Sequence, residues 1–368
     1  MGPQSSSEAA RATVSVADAV ARNRAAFEEA ARGRERVLDF EVLGRTVRLR
    51  LAGDSLERDL TDALRHHALP AGASEPELEI CAWDRHSTGV EPDLRGVPAL
   101  GEEDPGKSLI HSPRTIVHGP NGFVTVQGTV PWAAQGFDAG RRAAFLWASE
   151  PSVLGAWGER TKPFLEILHA WLIDSPWQPI HGGAVGSPDG GVLLAGGPGA
   201  GKSTTVLSCV RAGWLYAGDD YLAVRTSDGE AFAANLYGSA RLCVDMAERF
   251  SELRPAEIGA VSMNGIEKRD MILSEVLPPA RFGAFPIRAI LLPRIAGGSR
   301  SALRPASAAE ASVAIGASTM HLLRVGASAA FEKITALAGT VPVHRLDLGE
   351  DIDALPELIG SEIGVGSE

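Results

Sequence analysis

Two stretches of the 368-residue sequence fit the pattern of a glycine, four free positions, then Gly-Lys-Ser: GEEDPGKS at 101–108 and GGPGAGKS at 196–203. A phosphate-binding loop works through its backbone. An apolar strand must run into it, glycines must let N–H groups turn toward the phosphate oxygens, and a helix must begin at the Lys-Ser end. The second stretch meets all three conditions. Leu193 and Leu194 end an apolar run; Gly196, Gly197, Pro198, Gly199, Ala200 and Gly201 form the loop; Lys202, Ser203 and Thr204 open a helical pattern that reaches Arg211 and stops at Gly213. Lys202 would then reach the β- and γ-phosphates of a nucleotide, and the Ser203 hydroxyl would ligate magnesium. The first stretch fails each condition. Pro98 breaks its approach, Glu102, Glu103 and Asp104 would repel phosphate, and Pro113 stops any helix beyond it, so it reads as a solvated acidic loop.

Asp219 and Asp220 follow at the end of GWLYAGDD. Adjacent side chains on extended backbone point in opposite directions, so the two carboxylates can divide the work. One can hold magnesium while the other accepts the proton of an attacking hydroxyl. Ser203 and Asp219 are the metal candidates, with the division within the Asp pair left open. Upstream, His181 opens a strand that pairs with the one entering the loop if residues 186 to 190 form a turn, which would bring its imidazole near the carboxylates. Charge on a transferred phosphoryl group must be matched by cations. Arg241, Lys268, Arg269 and Arg294 are the candidates for phosphate or acceptor contacts. Tyr216, Tyr221 and Tyr237 surround the Asp pair in sequence, as an acceptor-binding wall or as core.

The elements that must position these residues alternate along the second half. GGVLLAG, GWLYAG, IRAILLPRI and VPVHRLDLG read as strands; STTVLSCVRAG, a long segment SAAEASVAIGASTMHLLRV and DIDALPELIG read as helices. That order favours an α/β core. Ser307 with Glu310 forms a capping box for the long helix. The first half reads as a smaller α+β domain: a hairpin in VLDFEVLGRTVRLRLAG, a short helix over SLERDLTDALRHHAL, and strands in PELEICAW and TIVHGPNGFVTVQGTV. Residues 84 to 113, rich in Pro, Gly and acids, read as a long loop. Residues 5 to 36 read as an amphipathic helix outside the main body. The expected division is a helical segment at 1–36, an α+β accessory domain that positions an acceptor at 37–160, and the phosphate-loop domain at 161–368.

Composition narrows the partners. The hydrophobic fraction of 45% and the charged fraction of 22% are those of a globular protein. A net charge of −11 argues against nucleic acid, whose phosphates need a basic surface. No apolar run of about 18 residues is present to span a membrane, and no signal-peptide core stands at the start, which leads to the expectation of a cytoplasmic protein. Cys81, Cys209 and Cys243 are too scattered for a zinc knuckle or a disulfide framework. His66 and His67 are neighbours on a helix and do not share a face, which disfavours a metal site.

The array of His181-Gly182, a hairpin into GGPGAGKST, a helix ending in Arg211-Ala212-Gly213 and then Trp214 to Asp220 resembles the bacterial HPr kinase/phosphorylase superfamily. VPVHRLDLGEDIDALPELI is similar to that family's last strand and helix. The resemblance spans residues 178 to 360. It implies an HPr-kinase-like domain with a core like that of phosphoenolpyruvate carboxykinase, using ATP and Mg2+ to phosphorylate a serine hydroxyl. It also implies Lys202 and Ser203 as phosphate and magnesium residues, Asp219 and Asp220 as base and metal residues, and His181 as their neighbour. Family members are often homo-oligomers. The family's Gly- and Ile-rich signature with its glutamate is replaced by ANLYGSARL, so phosphorylase activity is not expected. The pattern is closer to divergent HPr-kinase-like proteins of peptide-modification gene clusters, including lasso-peptide kinases. The expected function is therefore a serine kinase of a peptide or small protein. The alternatives are a kinase of a small-molecule hydroxyl and a non-catalytic nucleotide sensor.

Overall fold

The computed structural model describes residues 15–72, 74–98, 114–128, 131–157, 159–263, 266–320 and 325–366. The acidic stretch GEEDPGKS lies outside them.

Alternating apolar residues build the first sheet. Its strands are β1 (Glu35–Val42), β2 (Arg45–Ala52), β3 (Ala68–Leu69), β4 (Leu78–Asp84), β5 (Arg114–Gly119), β6 (Gly122–Gln127), β7 (Ala133–Asp138) and β8 (Ala143–Ala148), in the spatial order β3-β1-β2-β4-β8-β7-β6-β5. The hairpins predicted at Leu43-Gly44 and at Pro120 to Gly122 are present, as β1 with β2 and β5 with β6. The helix Val16–Ala30, expected outside the main body, instead forms a layer on this sheet. Its stripe of Val16, Ala19, Val20, Phe27 and Ala30 is buried among Trp83, Phe145 and Trp147. Each large apolar side chain so buried contributes about 1.5–3 kcal/mol, which holds the helix on the sheet.

The second sheet comprises β9 (Gln178–His181), β10 (Gly183–Ser187), β11 (Gly190–Leu194), β12 (Leu215–Gly218), β13 (Tyr221–Ser227), β14 (Glu230–Ala234) and β18 (Ala284–Ile295), with β20 (Val343–Leu348) paired to β18 and β19 (Ala302–Ala306) paired to β20. A small sheet of β15 (Ser239–Cys243), β16 (Glu257–Met263) and β17 (Ile266–Ile272) stands beside it in the order β15-β17-β16. Only β11, β18 and β20 run parallel to one another in the large sheet; the other pairings are antiparallel. The class is therefore mixed α/β, with the expected strands in place.

The capping box at Ser307 and Glu310 is formed, but the helix it opens ends at Thr319 and a second helix, Ala327–Thr340, follows where no element was expected. The small sheet was not anticipated either. One apolar cluster bridges the two large sheets. In it helix Leu165–Trp171 places Leu165, Ile167 and Leu168 with Phe40, Leu49 and Ile80 of the first sheet, Tyr221 and Ala223 of the second, and Tyr237 from the connection after β14.

Candidate functional site

β11 carries Val192, Leu193 and Leu194 fully buried into the loop, and the Ala195 N–H donates to the Leu291 carbonyl of β18 at 3.0 Å before the chain leaves the sheet. The helix Lys202–Arg211 begins directly after, with Gly201 at its N-cap and no side chain capping its first turn. Those first N–H groups, together with the positive end of the helix dipole, are suited to an anion. Lys202 is 7% exposed, and its ammonium donates to the Gly196 carbonyl at 2.7 Å and the Gly197 carbonyl at 3.2 Å. Burial lowers its pKa, while the nearby Asp219 and Asp220 charges oppose that shift. The lysine is thus folded back along its own loop.

Asp219 leaves β12 toward this loop. It is 3% exposed; its Oδ2 accepts the Arg241 backbone N–H at 3.2 Å, and its Oδ1 has no hydrogen-bond partner among the described residues. Burial and the adjoining Asp220 charge raise its pKa, against the opposing effects of the Arg241 N–H, the Ser203 hydroxyl and Lys202. A buried carboxylate oxygen without a donor is costly unless a cation or proton meets it. The donor set available here, the Asp219 carboxylate and the Ser203 hydroxyl, is all oxygen, which suits magnesium, an ion that keeps several waters and needs few protein ligands. Among the described residues no three His, Cys, Asp or Glu side chains gather into a larger metal cage.

Asp220 turns the other way. Its backbone is left-handed at φ 75, and its carbonyl accepts the Gly182 N–H at 3.2 Å. Its carboxylate meets three cationic or donor groups from three parts of the chain: Lys162 Nζ at 2.8 Å, His181 Nε2 at 3.0 Å and an Arg241 guanidinium nitrogen at 3.9 Å. Burial raises its pKa, but Lys162, His181 and Arg241 outweigh that effect and hold it well below the usual carboxylate range. His181 is fixed by β9 pairing with Tyr221 of β13 and by its own N–H donating to the buried Thr319 hydroxyl at 3.0 Å. Asp219 thus lies on the loop side and Asp220 on the His181 side, through a left-handed turn at Asp220 and not through the extended backbone expected.

A small pocket opens beside the pair, lined by Thr161, Lys162, Asp219, Asp220, Tyr221, Tyr237 and Arg241 among others. Of the four candidate cations, Arg241 is brought to it, buried and anchored by Asp270 at 2.6 Å and 3.3 Å. Lys268 is near enough for its charge to lower the pKa of Lys202. Arg269 is turned to Glu257 at 2.6 Å across the small sheet, and Arg294 to Asp347 at 2.5 Å on the exposed rim. Neither is brought to the pocket. Tyr221 and Tyr237 line it, whereas Tyr216 is core, its hydroxyl donating to the Ser239 carbonyl. Lys162 was missed because it stands far upstream of the motif, in the ordinary-looking TKPF. A lysine flanked by a proline and an apolar run was its one signal.

His66 and His67, expected to point apart as helix neighbours, instead bring their rings within 4.0 Å of each other. His66 also stacks on Phe282 with centroids 4.3 Å apart, and burial pushes their pKa values down to about 4 and about 3. The protein is thus of mixed α/β class, with a glycine-rich strand-to-helix loop beside an acidic pair of which Asp219 is buried and Asp220 partly exposed. Among solved structures, the HPr(Ser) kinase/phosphatase from Coxiella burnetii is similar over 50% of this chain and 95% of that chain, at 11% identity and a TM-score of 0.28. A likeness of that degree carries no argument about the site. No family model matches the sequence, and no curated protein matches it. No helix among the described residues is long and apolar enough to cross a membrane.

Proposed function

We propose that the chain is an ATP- and Mg2+-dependent phosphotransferase that moves the γ-phosphoryl group to a hydroxyl, with a serine of a peptide or small protein as acceptor. The observation that carries this reading is the juxtaposition of the Lys202-Ser203 loop with two adjacent carboxylates in different settings, Asp219 buried with one oxygen lacking a hydrogen-bond partner among the described residues and Asp220 paired to Lys162 and His181. A nucleotide sensor needs the loop but has no use for an ionised carboxylate facing a pocket.

Phosphate oxygens would replace the Gly196 and Gly197 carbonyls as partners of Lys202, and the N–H groups of the loop and first helical turn would complete the cradle. Ser203 and Asp219 would hold magnesium, which when bound neutralises charge between the β- and γ-phosphates. The acceptor hydroxyl would reach Asp220 on the side lined by Tyr221 and Tyr237, where those side chains must give way to admit it, and donate to a carboxylate that keeps free lone pairs besides those taken by Lys162 and His181. As the acceptor O–P bond forms, the bond from the γ-phosphorus to the β–γ bridging oxygen breaks, and the hydroxyl proton passes to Asp220 and on to solvent. Arg241 offsets negative charge on the transferred group. The first sheet, joined to this site by a shared core, would position the acceptor.

The test is to incubate the protein with ATP, Mg2+ and serine-containing peptides, free serine and sugars, and to follow phosphoryl transfer by mass. Peptide phosphorylation lost in Lys202→Ala and in Asp220→Asn supports the reading. Transfer to serine or sugar alone moves the acceptor to a small molecule; ATP binding without transfer to any acceptor favours a sensor.

A further inference from the structure

Lys162 lies outside every motif, yet it makes the shortest ion pair to the acidic dyad. We propose that it is the positioning residue for Asp220, and that the segment carrying it makes the junction between the two sheets a working part of the site. The proposal rests on the phosphotransferase reading for its catalytic consequence, and on geometry alone for the positioning.

The geometry has three parts. Lys162 Nζ donates to Asp220 Oδ2 at 2.8 Å with its side chain only 17% exposed, and it lies 5.2 Å from the centroid of the Tyr221 ring. A lysine so enclosed is unfavourable for folding unless its charge is compensated, and a Met or Leu would fill the same space without that cost. Packing therefore gives no reason for the ammonium; Asp220 does.

The second part is the rigidity of the segment. The Glu159 carboxylate accepts the Phe164 N–H at 2.7 Å, the Tyr237 hydroxyl donates to the Pro163 carbonyl at 3.1 Å, and the Ser239 hydroxyl donates to the Thr161 carbonyl. Phe164 is held at φ 61, a left-handed conformation that is unfavourable for a bulky residue and persists only when its surroundings over-determine it. The residues that clamp the segment, Tyr237 and Ser239, also line the pocket.

The third part is the arrangement around Asp220. Its two oxygens are divided, His181 on Oδ1 and Lys162 on Oδ2, with Arg241 farther off at 3.9 Å. Without Lys162, one oxygen loses its near donor and the carboxylate is free to rotate toward Arg241, which breaks its alignment with His181. A donor on each oxygen fixes the plane of the carboxylate, and with it the direction in which a lone pair faces an acceptor hydroxyl.

Lys162→Met and Lys162→Arg test this at one fixed pH, each checked for folding by thermal unfolding. With histidine side chains labelled in 15N, the His181 Nε2–H signal, assigned through His181→Gln, is expected to move or vanish in Lys162→Met and to return toward its original position in Lys162→Arg. An unchanged signal in folded Lys162→Met overturns the positioning role. In parallel, affinity for a fluorescent ATP analogue with Mg2+ should stay within twofold of the original protein, while ATP turnover falls about 30-fold or more and recovers in part in Lys162→Arg. Turnover unchanged by Lys162→Met overturns the catalytic consequence. A protein that does not bind the analogue at all overturns the phosphotransferase reading instead, and the imidazole signal then decides the positioning role by itself.

Discussion

Three alanine substitutions in one loop separate backbone strain from steric conflict. At Gly197 an added Cβ meets nothing within 4 Å and the backbone is not left-handed, so Gly197→Ala should leave stability unchanged or raise it by about 0.4–1 kcal/mol, through a less flexible unfolded chain. At Gly199 the space is equally open but φ is +76, and the left-handed conformation costs an alanine roughly 1–2 kcal/mol, partly offset by the same unfolded-chain effect. At Gly201 φ is +99 and the new Cβ would stand 2.2 Å from Leu348 Cδ1 at the end of β20. Overpacking of this kind costs about 1–3 kcal/mol beyond the backbone strain, so Gly201→Ala should lose about 2–5 kcal/mol. Urea unfolding followed by tryptophan fluorescence gives the order, with Gly197→Ala at the highest midpoint and Gly201→Ala at the lowest. The double variant Gly201→Ala with Leu348→Ala should be less destabilised than the sum of the two single changes, because the second removes the colliding atom. Equal midpoints for Gly197→Ala and Gly201→Ala, or strict additivity in the double variant, would refute the argument that β20 closes directly on the start of the phosphate helix.

Glu159 is buried, and burial raises its pKa from 4.5 to about 7. The unfolded chain therefore gives up this proton before the folded one does, stability falls as pH rises from about 4.5 to 7, and Glu159→Gln should recover roughly 3 kcal/mol at pH 8 and little at pH 4 when urea unfolding is compared at both. His169 carries the opposite slope: burial holds it at about 3 and neither ring nitrogen has a partner among the described residues. Stability from this group is full above about 6.5 and is lost on acidification at about 1.4 kcal/mol per pH unit down to 3, so His169→Leu should flatten the acid side of the stability profile. Lys107→Ala should leave the affinity for a fluorescent ATP analogue unchanged, whereas Lys202→Ala should weaken it at least tenfold; the reverse pattern would mean that the acidic stretch is the nucleotide loop.

Local pattern and local chemistry made the loop, the Asp pair and most strands legible in sequence. GGVLLAGGPGAGKST announces strand, turn and helix within a few residues, and period-two alternation marks β1 and β2. The amphipathic stripe of residues 16 to 30 was also legible, but a stripe does not say which sheet it covers, and that choice lies with Trp83, Phe145 and Trp147 far along the chain. β16 and β17 escaped notice because EIGAVSM shows no clean period-two alternation and IEKRDMI is mostly charged, so that their pairing carries more information than their sequence. The helix Ala327–Thr340 was hidden by the single apolar-looking run before it. Arg241 could be named from sequence only as one of four cations. What distinguishes it is long-range: Asp270 from β17 fixes its guanidinium, and its own N–H caps Asp219. Lys162 was beyond reach for the same reason, since its meaning depends on Asp220, far along the chain between β12 and β13.

Two carboxylates adjacent in the chain would ordinarily raise each other's pKa and compete for the same cations. Here the left-handed turn at Asp220 separates them, so that each is solvated by a different set of groups. Asp219 stays with the loop, with an unmatched oxygen beside a serine hydroxyl and the Lys202 charge; Asp220 is compensated already by Lys162, His181 and Arg241. The repulsion that remains is matched at Asp220 by its own cations and is left unmatched at Asp219. A cation arriving beside Ser203 meets the Asp219 oxygen that lacks a hydrogen-bond partner among the described residues, and its binding relieves the repulsion without disturbing the donors of Asp220. The left-handed residue, unfavourable in itself by about 1 kcal/mol or more, is what allows one dipeptide to offer a metal-side oxygen and an acceptor-side oxygen at once.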